Sequence, residues 1–448
     1  MGTESNGEGV TEVDERTKPP FLRRVRIRGY KSIAFCDVTL QPLTILVGRN
    51  AAGKSNFLDA LAFLRDVMAL GVTEAVKRRS GWAAIACRTS AVREIELEIE
   101  TGFLCGRPVT QAGHNDPSDA YRPHLGGPAF SKYHLTLSVN DFWVPVIYRE
   151  SLEITDGSGK RIAGFVMSGG KIQSAESAES DWKAMLQQAG QLLTAHEQPL
   201  LGVIGTPPVT NLWAAVRHMA FYNFVPEAMR RVQPPSHGQM LDQSGWNLAS
   251  VLDSTRRNDA WAFTRVGSYL SAIVREVERF EVVRYGEYET IRFRLCFGKP
   301  DTTLEFDAAS MSDGTLRALA ALTAAFQSVL PYGCPSVVGI EEPESALHPA
   351  AMRALVDALD DATQRTQIVL TTHSAEMLDN PTIHPENVRV VELIDGQTVI
   401  GPVDEASLEI VRRKLDTLGG LERQNQLGPD ADDLERQEQL ARTGSGAT

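Results

Sequence analysis

An eight-residue glycine-rich segment places the strongest constraint on how this chain can fold. Residues 48–55 read Gly-Arg-Asn-Ala-Ala-Gly-Lys-Ser, the G-x-x-x-x-G-K-[ST] pattern of a phosphate-binding loop. The apolar run 43–47 precedes it and an amphipathic stretch follows it, so a buried strand should enter the loop and a helix should leave it. An ordinary glycine-rich turn is the alternative, and it does not explain this context. The pattern predicts a nucleotide phosphate site.

The residue types in the loop suit phosphate binding. The two glycines let the chain curl, so that backbone N–H groups and a helix N-terminus converge on the phosphates of ATP. Lys54 adds a positive charge that reaches the γ-phosphate, and the Ser55 hydroxyl is a candidate Mg²⁺ ligand. We expect ATP to contact the whole loop, which consists of Gly48, Arg49, Asn50, Ala51, Ala52, Gly53, Lys54, Ser55 and Asn56.

Composition limits what surrounds the loop. The chain has 448 residues, of which 42% are hydrophobic, so two compact lobes are expected. Its five cysteines lack C-x-x-C spacing, which argues against a disulfide framework or a zinc ribbon. Neither an export signal nor a run of eighteen apolar residues occurs, which predicts a cytoplasmic protein that does not bind a membrane.

The net charge of −12 at first opposes nucleic-acid binding, although much of it lies at the two ends of the chain. Basic clusters occur at 23–28 with Lys31, at 77–79 and at 230–231. Each cluster is either a local phosphate-binding patch or a solvated face of the protein. The sequence leaves both interpretations open.

Pattern changes along the chain predict five segments. Residues 1–20 lack periodicity and are expected to be a disordered leader. A β-rich part with the phosphate loop follows at 21–105, and a mainly helical insertion with a loop and some strands spans 106–299. Within the insertion we expect a helix over 181–198, mostly helix over 212–285 and a strand over 288–297. The fourth segment spans 300–402 and carries the remaining candidate site residues, and a helix with an acidic disordered tail is expected at 403–448.

Two sequence features suggest metal sites only weakly. Residues His114, Asp116, Asp119 and His124 lie close together in sequence without helical or H-x₃-H spacing. In the C-terminal tail, Asp430 and Asp432 form a D-x-D pattern that no strand precedes, so disorder is the preferred interpretation there.

Two adjacent carboxylates follow an apolar run in the last third of the chain. Residues 336–344 read Ser-Val-Val-Gly-Ile-Glu-Glu-Pro-Glu, which is typical of a Walker B strand. We expect Glu341 to hold Mg²⁺ and Glu342 to polarise the water that attacks the γ-phosphate. An apolar run with a terminal acid is weak evidence alone, but it gains weight beside a phosphate loop.

Two further segments complete the pattern. Ser312-Asp313-Gly314-Thr315 opens an apolar helical stripe, which is either a simple capping motif or an anion site at a helix N-terminus. His373 ends the apolar run 368–372 and is either a core histidine or a group that reaches the γ-phosphate.

In chain order, the phosphate loop, the Ser312–Thr315 signature segment, the Walker B strand and His373 resemble the ATP-binding-cassette (ABC) superfamily. Within it, the start Arg26–Ile33, the loop and the Glu-Glu-Pro-Glu-Ser-Ala-Leu-His-Pro segment at 341–349 look like the RecF-like and OLD-like (overcoming lysogenization defect) ATPases. The resemblance implies an α/β P-loop ATPase of ABC type with a mixed sheet, which uses ATP and Mg²⁺. It also implies a head-to-tail dimer in which Ser312 and Gly314 of one copy complete the γ-phosphate site of the other.

The resemblance carries further expectations and some departures. A D-loop is expected at 345–347, while Tyr30 and Lys31 are expected near the adenosine. His348 fits the group's pattern, but a capping or packing role is equally expected. No Q-loop glutamine is assigned, and the insertion lacks the long heptads and C-x-x-C hook of relatives with long coiled coils.

Three functions remain open. The first is an ATP-driven clamp or sensor that acts on DNA in repair or phage defence, with a separate effector nuclease or toxin. The second is an ATPase switch that regulates a protein partner without nucleic acid. The third is an ATPase subunit of a transporter, against which the long interval between Lys54 and Ser312 and the missing Q-loop both argue.

Overall fold

The described residues form three β-sheets with helices packed against them. The computed structural model describes residues 21–89, 94–104, 128–177, 186, 197–205, 209–236, 240–297, 303–328 and 334–443. The strands are β1 Leu22–Tyr30, β2 Ile33–Thr39, β3 Leu43–Val47, β4 Ile95–Leu104, β5 Pro128–Val139, β6 Pro145–Asp156, β7 Arg161–Ser168, β8 Lys171–Ser177, β9 Ala220–Tyr222, β10 Val277–Tyr285, β11 Tyr288–Cys296, β12 Thr303–Asp307, β13 Val337–Glu341, β14 Gln367–Thr372, β15 Val388–Ile394 and β16 Gln397–Pro402.

The helices lie mainly on the two faces of one of these sheets. They are α1 Lys54–Leu70, α2 Val72–Lys77, α3 Trp82–Ile85, α4 Val209–Arg217, α5 Pro226–Arg230, α6 Leu248–Asn258, α7 Ala260–Ile273, α8 Asp313–Phe326, α9 Pro349–Ala362, α10 Ala375–Leu378, α11 Glu405–Arg412, α12 Leu418–Arg423 and α13 Ala431–Thr443. Among the described helices, none is long and apolar enough to cross a membrane.

The strand that enters the phosphate loop lies inside a six-stranded sheet of order β16-β15-β3-β14-β13-β9. Only β16 runs antiparallel to its neighbour, whereas the other strands pair in parallel. Successive side chains of β3 enter different cores: Leu46 faces the core that contains α1, and Ile45 and Val47 face the core that contains α8 and α9. This arrangement confirms the expected α/β class with a mixed sheet.

A seven-stranded antiparallel sheet of order β2-β1-β4-β5-β6-β7-β8 makes the N-terminal part rich in β-structure, as expected. Its last four strands belong to the insertion, so the expectation of a mainly helical insertion is wrong for the described residues. The β7–β8 hairpin accounts for part of this difference. Its turn residues Gly169 and Gly170 have φ values of 54° and 74°, which suits a tight hairpin turn.

A second correction concerns residues 277–285, where helix was expected. They form β10, which pairs with β11 and β12 in a three-stranded antiparallel sheet. Val277, Phe280 and Val282 alternate with charged residues, and Gly286 at φ 61° allows the turn into β11. The expected strand at 288–297 matches β11 closely.

The C-terminal tail is the third correction, because residues expected to be disordered form α13. The Asp430 side chain accepts a hydrogen bond from the Asp433 N–H at 2.8 Å and thus caps the helix. Gln437 is buried, accepts from the Asp37 N–H at 3.0 Å and donates to the Ile400 carbonyl at 2.9 Å. These tertiary contacts order a segment whose composition alone favours disorder.

Several expectations fall outside the described residues. They are the disordered leader at 1–20, the loop with His114, Asp116, Asp119 and His124, Cys105 and most of the helix expected at 181–198. The other four cysteines are free thiols. No group of metal-binding side chains occurs among the described residues.

One buried carboxyl group joins the antiparallel sheet to a neighbouring loop. Glu150 on β6 is fully buried and accepts hydrogen bonds from the Leu200 and Leu201 N–H groups at 2.7 and 2.9 Å. The Tyr133 hydroxyl donates a third hydrogen bond at 3.0 Å. Burial outweighs these bonds and raises the pKa of Glu150 to about 7.

This raised pKa predicts a pH-dependent contribution to stability. Because the folded state binds the proton of Glu150 more tightly than the unfolded state does, the contribution is full below the ordinary pKa and declines as pH rises through about 7. The melting temperature of the parent protein should therefore fall relative to that of Glu150→Gln between pH 5 and pH 8. Thermal unfolding of both proteins across this range measures the effect, and a constant difference would contradict it.

Candidate nucleotide-binding site

The phosphate loop has a backbone that its two glycines make possible. Gly48 and Gly53 have φ values of 153° and 105°. A Cβ at Gly48 would lie 2.1 Å from the Val391 carbonyl oxygen, and one at Gly53 would lie 2.0 Å from Thr398 Oγ1. A side chain at either position would collide with the β15–β16 hairpin, so the loop shape requires glycine twice.

Lys54 is buried at the start of α1 and points back into the loop. Its Nζ donates to the carbonyl oxygens of Gly48 at 2.6 Å and Arg49 at 3.0 Å. Burial lowers the pKa of Lys54, and the nearby carboxylate of Glu342 opposes this shift. Arg49, Asn50 and Ala51 are exposed at the rim of the loop, where they are accessible to a ligand.

Ser55 and Glu341, the two predicted Mg²⁺ ligands, contact each other in the structure. Ser55 Oγ donates to Glu341 Oε2 at 2.6 Å, although 286 positions separate the two residues. Glu341 ends β13, and Ser55 lies in the first turn of α1. A hydroxyl and a carboxylate oxygen are the hard donors that Mg²⁺ prefers, so these two residues fit a magnesium site.

Glu342 and His373 also meet, because β13 and β14 are adjacent parallel strands that end at the same edge. His373 Nδ1 lies 3.5 Å from Glu342 Oε1. Glu342 has a φ of 43°, and its N–H donates to the Thr371 carbonyl at 3.1 Å. The structure therefore brings Lys54, Ser55, Glu341, Glu342 and His373 to one end of the sheet, while their chemical roles stay predictions.

Ser312 and Gly314 lie at the start of α8. Ser312 caps α8 by accepting from the Thr315 N–H at 3.2 Å and is exposed. A Cβ on the buried Gly314 would lie 2.3 Å from the carbonyl oxygen of Ala346, so α8 begins against the expected D-loop. Among the described residues, no hydrogen bond connects Ser312 or Gly314 to the phosphate loop.

Sequence reasoning missed the group that supports the loop from β16. Thr398 is 1% exposed and donates to the Ala52 carbonyl at 2.8 Å. Ser32 Oγ lies 2.7 Å from Thr398 Oγ1, and the Asn56 amide donates to Ser32 at 2.6 Å. Because the Thr398 proton goes to Ala52, we infer that Ser32 donates to Thr398. No local motif marks Thr398, since its role depends on a partner 346 positions away.

Arg230 lies beside the Ser312–Thr315 segment, a contact that the sequence analysis did not predict. Arg230 Nη2 donates to the Met311 carbonyl at 3.0 Å and to the Asp313 carboxylate. The sequence leaves open whether the cluster at 230–231 is a phosphate-binding patch or a solvated face. The observed partner of Arg230 is instead the acidic residue that follows Ser312.

The other basic clusters are also largely paired with carboxylates. Arg24 contacts Asp37 at 2.5 Å, and Arg26 contacts Glu98 at 2.5 Å. Other pairs are Arg28–Glu96, Lys31–Asp59, Arg79–Asp59, Arg79–Asp66, Lys77–Glu74 and Arg78–Glu74. These contacts favour the structural interpretation of the clusters over the phosphate-binding one.

Two residues carried over from the resemblance have observed local roles. Tyr30 is fully buried and donates to Asp59 at 2.7 Å, so its side chain is not exposed to a nucleotide. Lys31 contacts the same carboxylate at 2.6 Å. His348 Nδ1 accepts from the Ala350 N–H at 3.2 Å and caps α9, which is the capping alternative.

Known proteins match parts of the chain. Residues 43–100 and 238–379 match a family described as "AAA domain, putative AbiEii toxin, Type IV TA system". The DNA replication and repair protein RecF of Gloeobacter violaceus is 38% identical over 84 residues. That match covers 18% of this chain and 22% of RecF, so the chain spans about a fifth of that relative.

Heads of Smc proteins resemble the chain in structure. An Smc head bound to the C-winged helix domain of ScpA has a TM-score of 0.48 at 12% identity, covering 87% of this chain and 100% of the other. The Smc head domain from Thermotoga maritima has a TM-score of 0.36 at 13% identity, covering 86% and 99%.

The phosphate loop, the paired acids and the parallel strand order together have the geometry expected of a P-loop nucleotide site. With the partial family match and the partial RecF match, they make the chain similar to ABC-superfamily ATPases of the RecF-like type. The OLD-like part of the resemblance stays a prediction.

Thr398→Val tests the support that β16 gives to the phosphate loop. Valine keeps the shape but removes the hydrogen bonds to Ala52 and Ser32, so we expect the Kd for ATP to rise about tenfold, which is about 1.4 kcal/mol. Titration with a fluorescent ATP analogue measures the change.

Thr255→Val is the matched control, because Thr255 is 2% exposed and donates to the Val251 carbonyl at 2.8 Å within α6. Equal ATP affinity in Thr398→Val and this control would show that Thr398 does not support the loop.

Proposed function

We propose that the chain binds and hydrolyses ATP with Mg²⁺ at the phosphate loop. The observation that carries the proposal is the Ser55–Glu341 hydrogen bond, which joins the loop to the Walker B strand at 2.6 Å. The loop N–H groups and Lys54 hold the phosphates, and Ser55 and Glu341 hold Mg²⁺. Bound Mg²⁺ neutralises phosphate charge and orients the γ-phosphate.

The Glu342–His373 pair supplies the hydrolytic groups in this proposal. Glu342 accepts a proton from the attacking water, and His373 stabilises charge that develops on the γ-phosphate. Their 3.5 Å separation allows both to face one reacting phosphoryl group. Lys54, which the loop carbonyls hold in place, contributes a fixed positive charge to the phosphates.

A second copy of the chain completes the site in this proposal. Ser312 is exposed at the N-terminus of α8 and has no hydrogen bond to the phosphate loop among the described residues. A helix N-terminus attracts anions, so Ser312 and the first N–H groups of α8 suit the γ-phosphate of the other copy. Gly314 lets α8 approach Ala346 closely and keeps its first turn bare.

Glu342→Gln tests the catalytic assignment. The amide keeps the size of the side chain but cannot accept a proton, so hydrolysis should fall about 100-fold or more while ATP binding persists. Because ATP then stays bound, a dimer should accumulate with ATP and Mg²⁺ and disperse without them. Phosphate release and sedimentation velocity measure these outcomes. Parental hydrolysis in this variant would refute the assigned base.

We propose DNA as the partner of the ATP-bound dimer, in repair or in phage defence with a separate effector nuclease or toxin. Support comes from the match to a protein named for DNA replication and repair and from a family described by a toxin–antitoxin system. The alternative is a switch for a protein partner. The net charge of −12 and the ion-paired arginines favour that alternative.

DNA binding in each nucleotide state separates the two partners. If DNA is the partner, Glu342→Gln with ATP should bind duplex DNA more tightly at 50 mM than at 200 mM salt, because phosphate contacts release counterions. DNA should also stimulate hydrolysis by the parent protein. Fluorescence anisotropy and phosphate release measure both effects. No salt-sensitive binding in any nucleotide state would exclude DNA and leave the protein-partner switch.

A further inference from the structure

A buried hydrogen bond lies behind the Glu342–His373 pair and joins the segments that carry these two residues. Thr372, which is 0% exposed, donates from Oγ1 to Glu344 Oε1 at 2.5 Å. The same Oγ1 accepts from the Ser374 N–H at 2.9 Å. The Thr372 side chain therefore anchors the backbone on both sides of His373 to the segment that follows Glu342.

Glu344 is a buried acid with one carboxylate oxygen left unpaired in the part of the chain that the structure describes. It is 4% exposed, and among the described residues its Oε2 has no hydrogen-bond partner. Burial raises the pKa of Glu344, although Thr372 opposes the shift. An unpaired buried oxygen costs free energy that an apolar side chain of similar size would avoid. Because Glu344 lies beside two predicted hydrolytic groups, we expect its polar side chain to act on them.

Backbone strain at Glu342 provides a physical reason for such a role. A non-glycine residue at φ 43° is strained unless neighbouring contacts hold it there. The Glu342 N–H donates to the Thr371 carbonyl at 3.1 Å, and Ser345 Oγ donates to Glu342 Oε2 at 3.3 Å. The Glu344–Thr372 bond is the next link between the same two segments.

We propose that Glu344 and Thr372 are positioning residues that hold Glu342 and His373 in register for hydrolysis. The inference rests on the proposed ATPase function and extends it to residues that touch neither ATP nor Mg²⁺ in that scheme. Thr372 acts through the backbone of His373, and Glu344 acts through the turn that follows Glu342. Their hydrogen bond is predicted to set the rate of hydrolysis and not the affinity for ATP.

Thr372→Val and Glu344→Ala remove the hydrogen bond from either side. We expect each to lower kcat for ATP hydrolysis at least tenfold, with the Kd for ATP within about twofold of the parent value. Thr372→Ser and Glu344→Gln retain a hydrogen bond and should keep kcat within about threefold. A parental kcat in Thr372→Val, or equal losses in all four variants, would overturn the proposal.

Matched controls separate positioning from general stability. Thr323 is 1% exposed and donates to the Leu319 carbonyl at 2.7 Å, so Thr323→Val removes a similar buried hydroxyl from α8. Glu289 is 1% exposed and accepts from Ser250, so Glu289→Ala matches Glu344→Ala. Both controls should retain the parental kcat, even where their melting temperatures fall as much as those of Thr372→Val and Glu344→Ala. A loss of kcat that follows melting temperature in all variants would assign Thr372 a structural role only.

A readout without hydrolysis keeps the inference separate from the proposed function. With ¹³C-labelled histidine, the His373 ring resonance is identified by its loss in His373→Gln and recorded in the nucleotide-free protein. It should shift in Thr372→Val and Glu344→Ala and stay near the parent position in Thr372→Ser and Thr323→Val. An unchanged resonance would overturn the positioning role even if ATP is hydrolysed. Shifted resonances in a protein that hydrolyses no ATP would contradict the proposed function alone.

Discussion

The parallel pairing of β3, β14 and β13 is the constraint on which the rest of the structure depends. Parallel strands end at the same edge of a sheet, so residues from three distant parts of the chain meet there. The phosphate loop follows β3, His373 follows β14, and Glu341 ends β13. Helices on both faces bury this sheet in two cores, and that burial fixes the position of its edge.

The sequence predicted the parts of the site that local motifs encode. Glycine spacing, the apolar runs before Glu341 and His373, and the serine that caps α8 each depend on neighbours in sequence. Thr398, Arg230 and the Glu344–Thr372 bond could not be predicted, because their partners lie tens to hundreds of positions away. The same limit explains α13, since contacts with β2 and β16 order it against its composition.

Charge pairing reduces the positive charge that the arginine clusters offer to a nucleic acid. Most of the arginines that suggested a nucleic-acid site contact carboxylates, so the positive charge available to a polyanion is smaller than the sequence indicates. Beside Ser312, Arg230 pairs with Asp313 and compensates its negative charge. An uncompensated negative charge there would oppose an approaching phosphate. In the proposed switch, ATP joins two copies of the chain. The surface that this dimer creates then decides which partner it binds.

Mixing two inactive variants tests the composite site most directly. Lys54→Ala removes the phosphate-loop charge, and Ser312→Glu places a repelling charge at the N-terminus of α8, so neither variant alone should hydrolyse ATP. In an equal mixture, half of the dimers contain one copy of each variant and one intact site, so phosphate release should recover to about a quarter of the parental rate. No recovery from two folded variants, or parental activity of Ser312→Glu alone, would contradict a site shared between two copies.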